Sequence, residues 1–461
     1  MDLPLARAQT IGDTVCMHKS LSAAGLGLAT TLGVAQPVDP CLSQRFFPDF
    51  QDQRLEFGVD VAISEEHLLV ADRAGGAKIY AYRKDPATGR WVFSHAVPGG
   101  GRGNVALHED RFITGSGRPA RYGGALIYEF DGERWHEIAE LGSPDIASLS
   151  PWGANVAIHG GVAAVSNWGT DVLVFRERDG GVWEEVAQLE QPPPGVPRAD
   201  YGDDIAMDER FLFIGAPGED ISGRQNGAVY VYEWDADGVP VLYQKLVQLP
   251  DGVVGPRLGS SLAIDNGTLV AGARSLDIAG LQNVGTAYVF GLVDGSWELQ
   301  TRLLPEPLTD GAQFGWSVDV VGDAIVVGAP SQYLGPGLGI GAAHMYRRAP
   351  SGSWKHATGV TIQISAWDYA EAVALSGTEL VVGGSETVVI GQDQGVADVF
   401  ELDCLLCITD LDADGRLTLF DFLAFFNAFD AANPIADLDG DGEFTLFDFL
   451  AFQTAFDTGC P

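Results

Sequence analysis

Hydrophobic positions in this chain come in short runs. From about residue 57 to residue 400, brief apolar stretches rich in β-branched and aromatic residues alternate with turns of Gly, Asp, Asn and Pro. Short runs bounded by turn residues predict strands. The runs also repeat. Phe57-Gly-Val-Asp-Val-Ala-Ile, Trp152-Gly-Ala-Asn-Val-Ala-Ile, Tyr201-Gly-Asp-Asp-Ile-Ala-Met, Leu258-Gly-Ser-Ser-Leu-Ala-Ile and Phe314-Gly-Trp-Ser-Val-Asp-Val share one frame. Looser copies are Arg102-Gly-Asn-Val-Ala-Leu and Tyr369-Ala-Glu-Ala-Val-Ala-Leu. Each is followed by a polar turn and a second run, such as Phe211-Leu-Phe-Ile-Gly-Ala-Pro or Ile325-Val-Val-Gly-Ala-Pro. A Gly-rich stretch and a third strand come next, as in Ala228-Val-Tyr-Val-Tyr, and most units close on a strand opened by Trp91, Trp135, Trp183, Trp297 or Trp354. Seven such units of about four strands predict an all-β, seven-bladed propeller over residues 41–403.

The last unit has no Trp strand after Val396-Ala-Asp-Val-Phe400. A matching segment, Ser43-Gln-Arg-Phe-Phe-Pro-Asp-Phe50, stands before the first unit. Residues 42–50 are therefore expected to complete the last blade, because a ring left open there would expose sheet edges. The Phe-Gly and Gly-Ala-Pro signatures over roughly residues 57–400 resemble the FG-GAP repeats of the integrin α-chain head.

Beyond residue 404 the period changes from strand to helix. Leu419, Phe422, Leu423 and Phe426 recur at helical spacing and predict one apolar stripe, and a second copy follows from Leu446 to Phe456. A twelve-residue acidic loop precedes each helix. The first places Asp410, Asp412, Asp414 and Asp421 at positions 1, 3, 5 and 12, with Gly415 at position 6; the second places Asp437, Asp439, Asp441 and Asp448 there, with Gly442. The position-7 carbonyls are those of Arg416 and Glu443, and Thr418 and Thr445 occupy position 9. Calcium, a hard cation, takes several oxygens, and Gly permits the turn that wraps them around it, so two bound calcium ions are expected.

Neither loop follows a long helix, so residues 404–461 read as two half EF-hands in a small all-α domain. They resemble a type I dockerin, a module that tethers its carrier to a cohesin partner. Positions 10 and 11 depart from the Ser-Thr pair often found in dockerins, being Leu419-Phe420 and Leu446-Phe447. Two readings of Phe420 and Phe447 stand at this point: an apolar partner-binding face, or packing between the two helices.

With 63 Asp+Glu against 27 Lys+Arg, the chain repels phosphate backbones, which argues against a nucleic-acid partner. No apolar run predicts a membrane span in the mature chain. Residues 17–35 read as a signal peptide, with a basic start at Met17-His-Lys-Ser, an apolar stretch from Leu21 and small residues before Gln36. Residues 1–16 then read as a non-native extension, and the expected location is extracellular. Without the leader, four cysteines remain: Cys41, Cys404, Cys407 and Cys460. An even number suits a disulfide-bonded secreted protein. Cys41–Cys404 would clamp the closing strand, and Cys407–Cys460 would clasp the ends that dockerin-like folds bring together. The alternative pairs Cys404 with Cys407 and Cys41 with Cys460.

No catalytic constellation emerges. Asp203-Asp204 and Glu219-Asp220 lie where Gly-rich loops cross a propeller face, but no unit carries a dense Asp/Asn calcium cage. Asp235-Ala-Asp-Gly238 reads as a hairpin turn, and His159-Gly-Gly161 reads as a turn without a nucleophile elbow. The expected function is a secreted, non-catalytic scaffold. Its propeller would bind a protein or glycan, and its C-terminal module would bind a cohesin-like or cell-surface protein. The alternative is a carbohydrate-active enzyme carried by a dockerin, which would need two converging carboxylates on one rim.

Overall fold

The computed structural model describes residues 41–48, 56–73, 77–99, 104–115, 124–142, 152–167, 171–190, 199–221, 225–247, 255–333, 335, 340–349, 352–361, 366–389, 392–393, 395–402, 405, 409, 411, 417–430, 436 and 444–458. The expected leader and extension fall outside these residues.

The strands form seven four-stranded antiparallel sheets, the blades of a propeller. Blade 1 comprises Phe57–Ile63, His67–Asp72, Lys78–Lys84 and Trp91–Pro98. Blade 2 is Val105–His108, Arg111–Gly115, Ala125–Phe130 and Trp135–Leu141, and blade 3 is Trp152–His159, Val162–Asn167, Asp171–Arg178 and Val182–Glu190. Blade 4 is Ile205–Met207, Phe211–Ala216, Ala228–Trp234 and Pro240–Leu246. Blade 5 is Leu262–Asp265, Thr268–Ala273, Thr286–Val293 and Ser296–Leu303. Blade 6 is Val318–Val321, Ala324–Tyr333, Ile340–Arg348 and Trp354–Thr361. Blade 7 takes Ala372–Leu375, Glu379–Gly384 and Val396–Glu401 from one end of the chain and Leu42–Phe46 from the other. A small three-stranded sheet, Ala366–Trp367 with Glu386–Val389 and Gln392–Asp393, is built from the segments flanking blade 7's strands.

Burial explains the ring. Seven hydrophobic clusters hold the propeller, one between each pair of neighbouring blades. The cluster between blades 4 and 5, for instance, joins Phe211 and Phe213 to Leu258, Leu269 and Trp297. The blade-opening tryptophans are therefore structural: Trp91, Trp135, Trp297 and Trp354 each pack on the preceding blade. The core of the described residues is thus distributed between the blades.

Both repeated glycine motifs serve the blade-to-blade contact. A Cβ added to Gly272, in the second strand of blade 5, would overlap the carbonyl oxygen of Gly315 in blade 6. Gly315 itself has φ +88°, a conformation that favours glycine. The same contact recurs between Gly383 of blade 7 and Gly58 of blade 1, so it closes the circle. A parallel bridge links Gly285 to Phe314 between blades 5 and 6, and the equivalent bridge links Gly395 to Phe57 between blades 7 and 1.

The closing strand keeps the register of its counterparts. Gln44 pairs across from Val399, as Gln244 of blade 4 pairs across from Val231. Gln44 grips the backbone of Trp91, accepting from its N–H at 2.6 Å and donating to its carbonyl at 3.1 Å. Gln244 grips Trp297 in the same way, at 2.9 Å on both sides.

Toward the C-terminus lie two helices, Leu419–Asp430 and Leu446–Thr458. Phe425 and Phe452 stack at 4.2 Å between them, with Phe422, Phe449 and Phe456 around the pair. The expected stripe is corrected here. Phe425 and Ala428 are buried, whereas Leu419, Leu423 and Phe426 are exposed. The helix is apolar on more than one side, so spacing alone could not choose the inward face. The packing alternative for Phe420 and Phe447 is also overturned, because they are 68% and 67% exposed.

Candidate binding site at the propeller axis

The innermost strand of every blade starts at the same end of the ring, where Phe-Gly motifs and the loops after the second strands meet. There the open axis forms a cavity of about 880 Å³ to which all seven blades contribute, a volume within the range of small-ligand sites.

Three half-buried carboxylates brace its wall. Asp60 accepts from its neighbour Val61 N–H at 2.9 Å and from Val105 N–H of the next blade at 2.8 Å. Asp204 does the same with Ile205 at 2.9 Å and Leu262 at 2.7 Å, and Asp319 with Val320 at 2.8 Å and Leu375 at 2.7 Å. Burial pushes each up to about 7, against the pull of the two backbone donors. These acids are struts between blades 1 and 2, 4 and 5, and 6 and 7.

The mouth is built differently. Asp203, next to the strut Asp204, turns its carboxylate toward Arg274 of blade 5, with Oδ2 and Nη2 3.9 Å apart. The Arg274 guanidinium lies over the Trp316 ring of blade 6, 4.5 Å from its centroid. Burial holds the Asp203 carboxyl above its usual range, opposed by Arg274, and holds the Arg274 guanidinium below its own, opposed by Asp203. Charge on both partners is thus incompletely compensated. Arg274 makes no hydrogen bond among the described residues. Ser260 and Asn104 add neutral polar groups to the wall. Across the ring, Glu371 of blade 7 lines the same cavity and accepts from Ser385 Oγ; burial raises its carboxyl. Arg73 of blade 1 is paired with Glu56.

Of the residues singled out in the sequence, Asp203 and Asp204 reach this cavity. Glu219 does not: it is buried and held by Lys245 Nζ at 2.7 Å and Tyr230 Oη at 3.1 Å. Asp235 closes a turn, accepting from Asp237 N–H at 2.9 Å and Val239 N–H at 2.8 Å. Arg274, Trp316, Glu371 and Arg73 were not foreseen. One signal was available: Arg73 and Arg274 stand at one repeat position, where blades 4 and 6 carry Pro217 and Pro330.

In the acidic loops, Asp410, Asp412, Asp414, Arg416, Asp437, Asp439, Asp441 and Glu443 lie outside the described residues, as do Cys404, Cys407 and Cys460. Cys41 is disulfide-bonded. Among the described residues, no group of three or more His, Cys, Asp or Glu could hold a metal ion. The loop ends are described. Asp421 and Asp448 are fully buried, and they accept from the backbone N–H of Thr418 at 2.7 Å and Thr445 at 2.8 Å. The threonine hydroxyls in turn accept from Phe420 and Phe447 N–H, both at 3.1 Å, so each loop ends in a reciprocal helix cap. Burying a carboxylate demands hydrogen bonds or opposing charge, and the oxygen-only donor types in each loop sequence suit a hard divalent cation. No described helix is long and apolar enough to cross a membrane.

Residues 183–232 and 297–346 match the family model described as FG-GAP repeat. Each match begins in the outer strand of one blade and ends in the third strand of the next, so the sequence repeat and the blade are offset by one strand. No curated protein matches the chain. Among solved structures it is similar to that titled "Crystal structure of the Saccharomyces cerevisiae Sqt1", with 12% identity and a TM-score of 0.42 over 74% of this chain and 83% of that one. The chain therefore carries FG-GAP repeats within a seven-bladed β-propeller.

Proposed function

We propose that this protein is a secreted, non-catalytic binding scaffold. The propeller holds an extracellular ligand at its axial mouth, and a calcium-ordered, dockerin-like module at the C-terminus tethers the assembly to a cohesin-like or cell-surface protein. The observation that carries the tethering is the duplication: two acidic loops run in the same frame into two helices, and each helix start leaves Phe420 or Phe447 exposed. Large apolar side chains held in water at matched positions favour a protein partner. Calcium would be held by the acids at loop positions 1, 3, 5 and 12 and would relieve their mutual repulsion.

Calorimetric titration of the calcium-stripped full chain tests this reading. Two sites are expected, and Asp414→Ala and Asp441→Ala should each remove one. If the stripped protein binds no calcium, the tethering proposal falls.

A second reading has one observation in its favour. Asp203 and Glu371, from blades 4 and 7, line one cavity, and burial raises both carboxyls. A carbohydrate-active enzyme needs such a pair. Turnover of a polysaccharide that disappears in both Asp203→Asn and Glu371→Gln would favour the enzyme over the scaffold.

A further inference from the structure

We infer that the axial mouth binds the end of a neutral saccharide chain by gripping two adjacent hydroxyls between Asp203 and Arg274. This rests on reading the propeller as the ligand-binding part of the scaffold. The argument begins with what the pair lacks. At 3.9 Å the two groups are too far apart for a hydrogen bond, yet they are close enough for one small group to bridge them. Arg274 has only donors to offer and Asp203 only acceptors, so the complement must accept from one and donate to the other. A pair of neighbouring hydroxyls does both at once. Trp316, beneath the Arg274 guanidinium, fixes that side chain in place and adds an apolar flank.

Other ligand classes fit less well. The lining acids Asp60, Asp203, Asp204, Asp319 and Glu371 outnumber the lining arginines Arg73 and Arg274, and the chain carries a net charge of −36, which disfavours phosphate, sulfate or uronate. A metal ion is disfavoured because the three strut acids are already taken up by backbone donors and a guanidinium sits at the mouth. An apolar ligand would leave the Asp203 and Arg274 charges without a hydrogen-bonding complement.

The test uses the full-length protein with cellotetraose, laminaritetraose, mannotetraose and xylotetraose as neutral probes and tetragalacturonate as the anionic one. Calorimetry and tryptophan fluorescence are the readouts. At least one neutral probe should bind, and Arg274→Ala and Asp203→Asn should each weaken it by about tenfold or more, the loss of one charged hydrogen bond. Arg210→Ala, which removes an exposed pair with Glu233, should leave affinity unchanged. Should Arg274→Ala unfold the blade, Asp203→Asn and Arg274→Lys decide. The inference is overturned if no neutral probe binds, if only tetragalacturonate binds, or if binding ignores both positions. The calcium titration reads the other domain, so the two proposals fail separately.

Discussion

Arg45 and Asp398 stand 353 residues apart in the chain and meet in a two-pronged ion pair. Arg45 Nε donates to Asp398 Oδ1 at 2.6 Å and Nη2 donates to Oδ2 at 2.7 Å. The Asp398 side chain is wholly buried, and Tyr369 Oη adds a third donor at 3.0 Å. Burial works against the Arg45 charge, but Asp398 outweighs it and raises the guanidinium above its ordinary value. Arg45 belongs to the strand from one end of the ring and Asp398 to the strand from the other, so the pair is the polar lock of the closure.

Removing one half of this lock should be costly. Arg45→Ala leaves a buried, uncompensated carboxylate and is expected to destabilise the propeller by about 3–5 kcal/mol. Arg45→Leu with Asp398→Leu should cost much less, since both charges leave together. Urea unfolding of the two variants checks this, and equal losses would show that the charge pairing is not what matters.

The glycine contacts make a second expectation. Gly272→Ala forces a methyl against the Gly315 carbonyl, which should cost about 1–3 kcal/mol as overpacking. Gly377→Ala meets nothing within 4 Å and should stay within about 0.5 kcal/mol of the parent. Thermal melts of both variants provide the measurement.

The strut carboxyls predict a pH dependence. Asp204 is pushed up to about 7 in the fold, above the ordinary value of about 3.9 it has when unfolded. Between these values the folded state binds more protons, so stability falls as pH rises from about 4 to about 7. Asp204→Asn, which does not titrate, should flatten that part of the profile relative to the parent. Melting temperatures at pH 5 and pH 7 suffice, and an unchanged slope would rule Asp204 out as its source.

Phe420 and Phe447 should matter for binding and hardly at all for folding. Replacing both with Glu is expected to leave the helical circular dichroism and its calcium response intact, because both side chains are more than half exposed. Capture of the tethering partner should be lost. If the double variant unfolds, the exposed-face assignment fails.

Cys41 is already committed to a disulfide, and Cys404 is the partner expected from the sequence. The backbone favours this pairing. Glu401 N–H donates to the Cys41 carbonyl at 3.0 Å, which brings the start of the closing strand beside the end of blade 7. Peptide mapping without reduction should recover Cys41 joined to Cys404 and Cys407 joined to Cys460. A peptide linking Cys404 to Cys407 would refute both pairs. The expected Cys41–Cys404 bond would close a long loop, and its removal should then cost about 2–5 kcal/mol.

Much of the fold was legible in the chain. Strand length, the repeated Phe-Gly and Gly-Ala-Pro motifs and the regular tryptophans are local features, and the motifs follow from contacts that most blades make with a neighbour. The count of seven blades could be read in the same way, and the strand that completes the last one could be recognised from its likeness to the others. Helical spacing announced two C-terminal helices but misjudged which side of the first faces inward. Phe425 is buried and Leu423 is exposed, although both are apolar and only two positions apart.

The axial mouth lay beyond the sequence. Asp203, Arg274 and Trp316 belong to blades 4, 5 and 6, and no motif links them. The residues themselves are set by the chain: an acid after Gly202, a cation where other units carry Pro, an indole after Gly315. That they share one cavity is decided by ring closure, which turns seven separate strand starts toward a single axis. That Asp203 and Arg274 are left incompletely compensated is decided by burial, which depends on the neighbouring blades and on no local pattern.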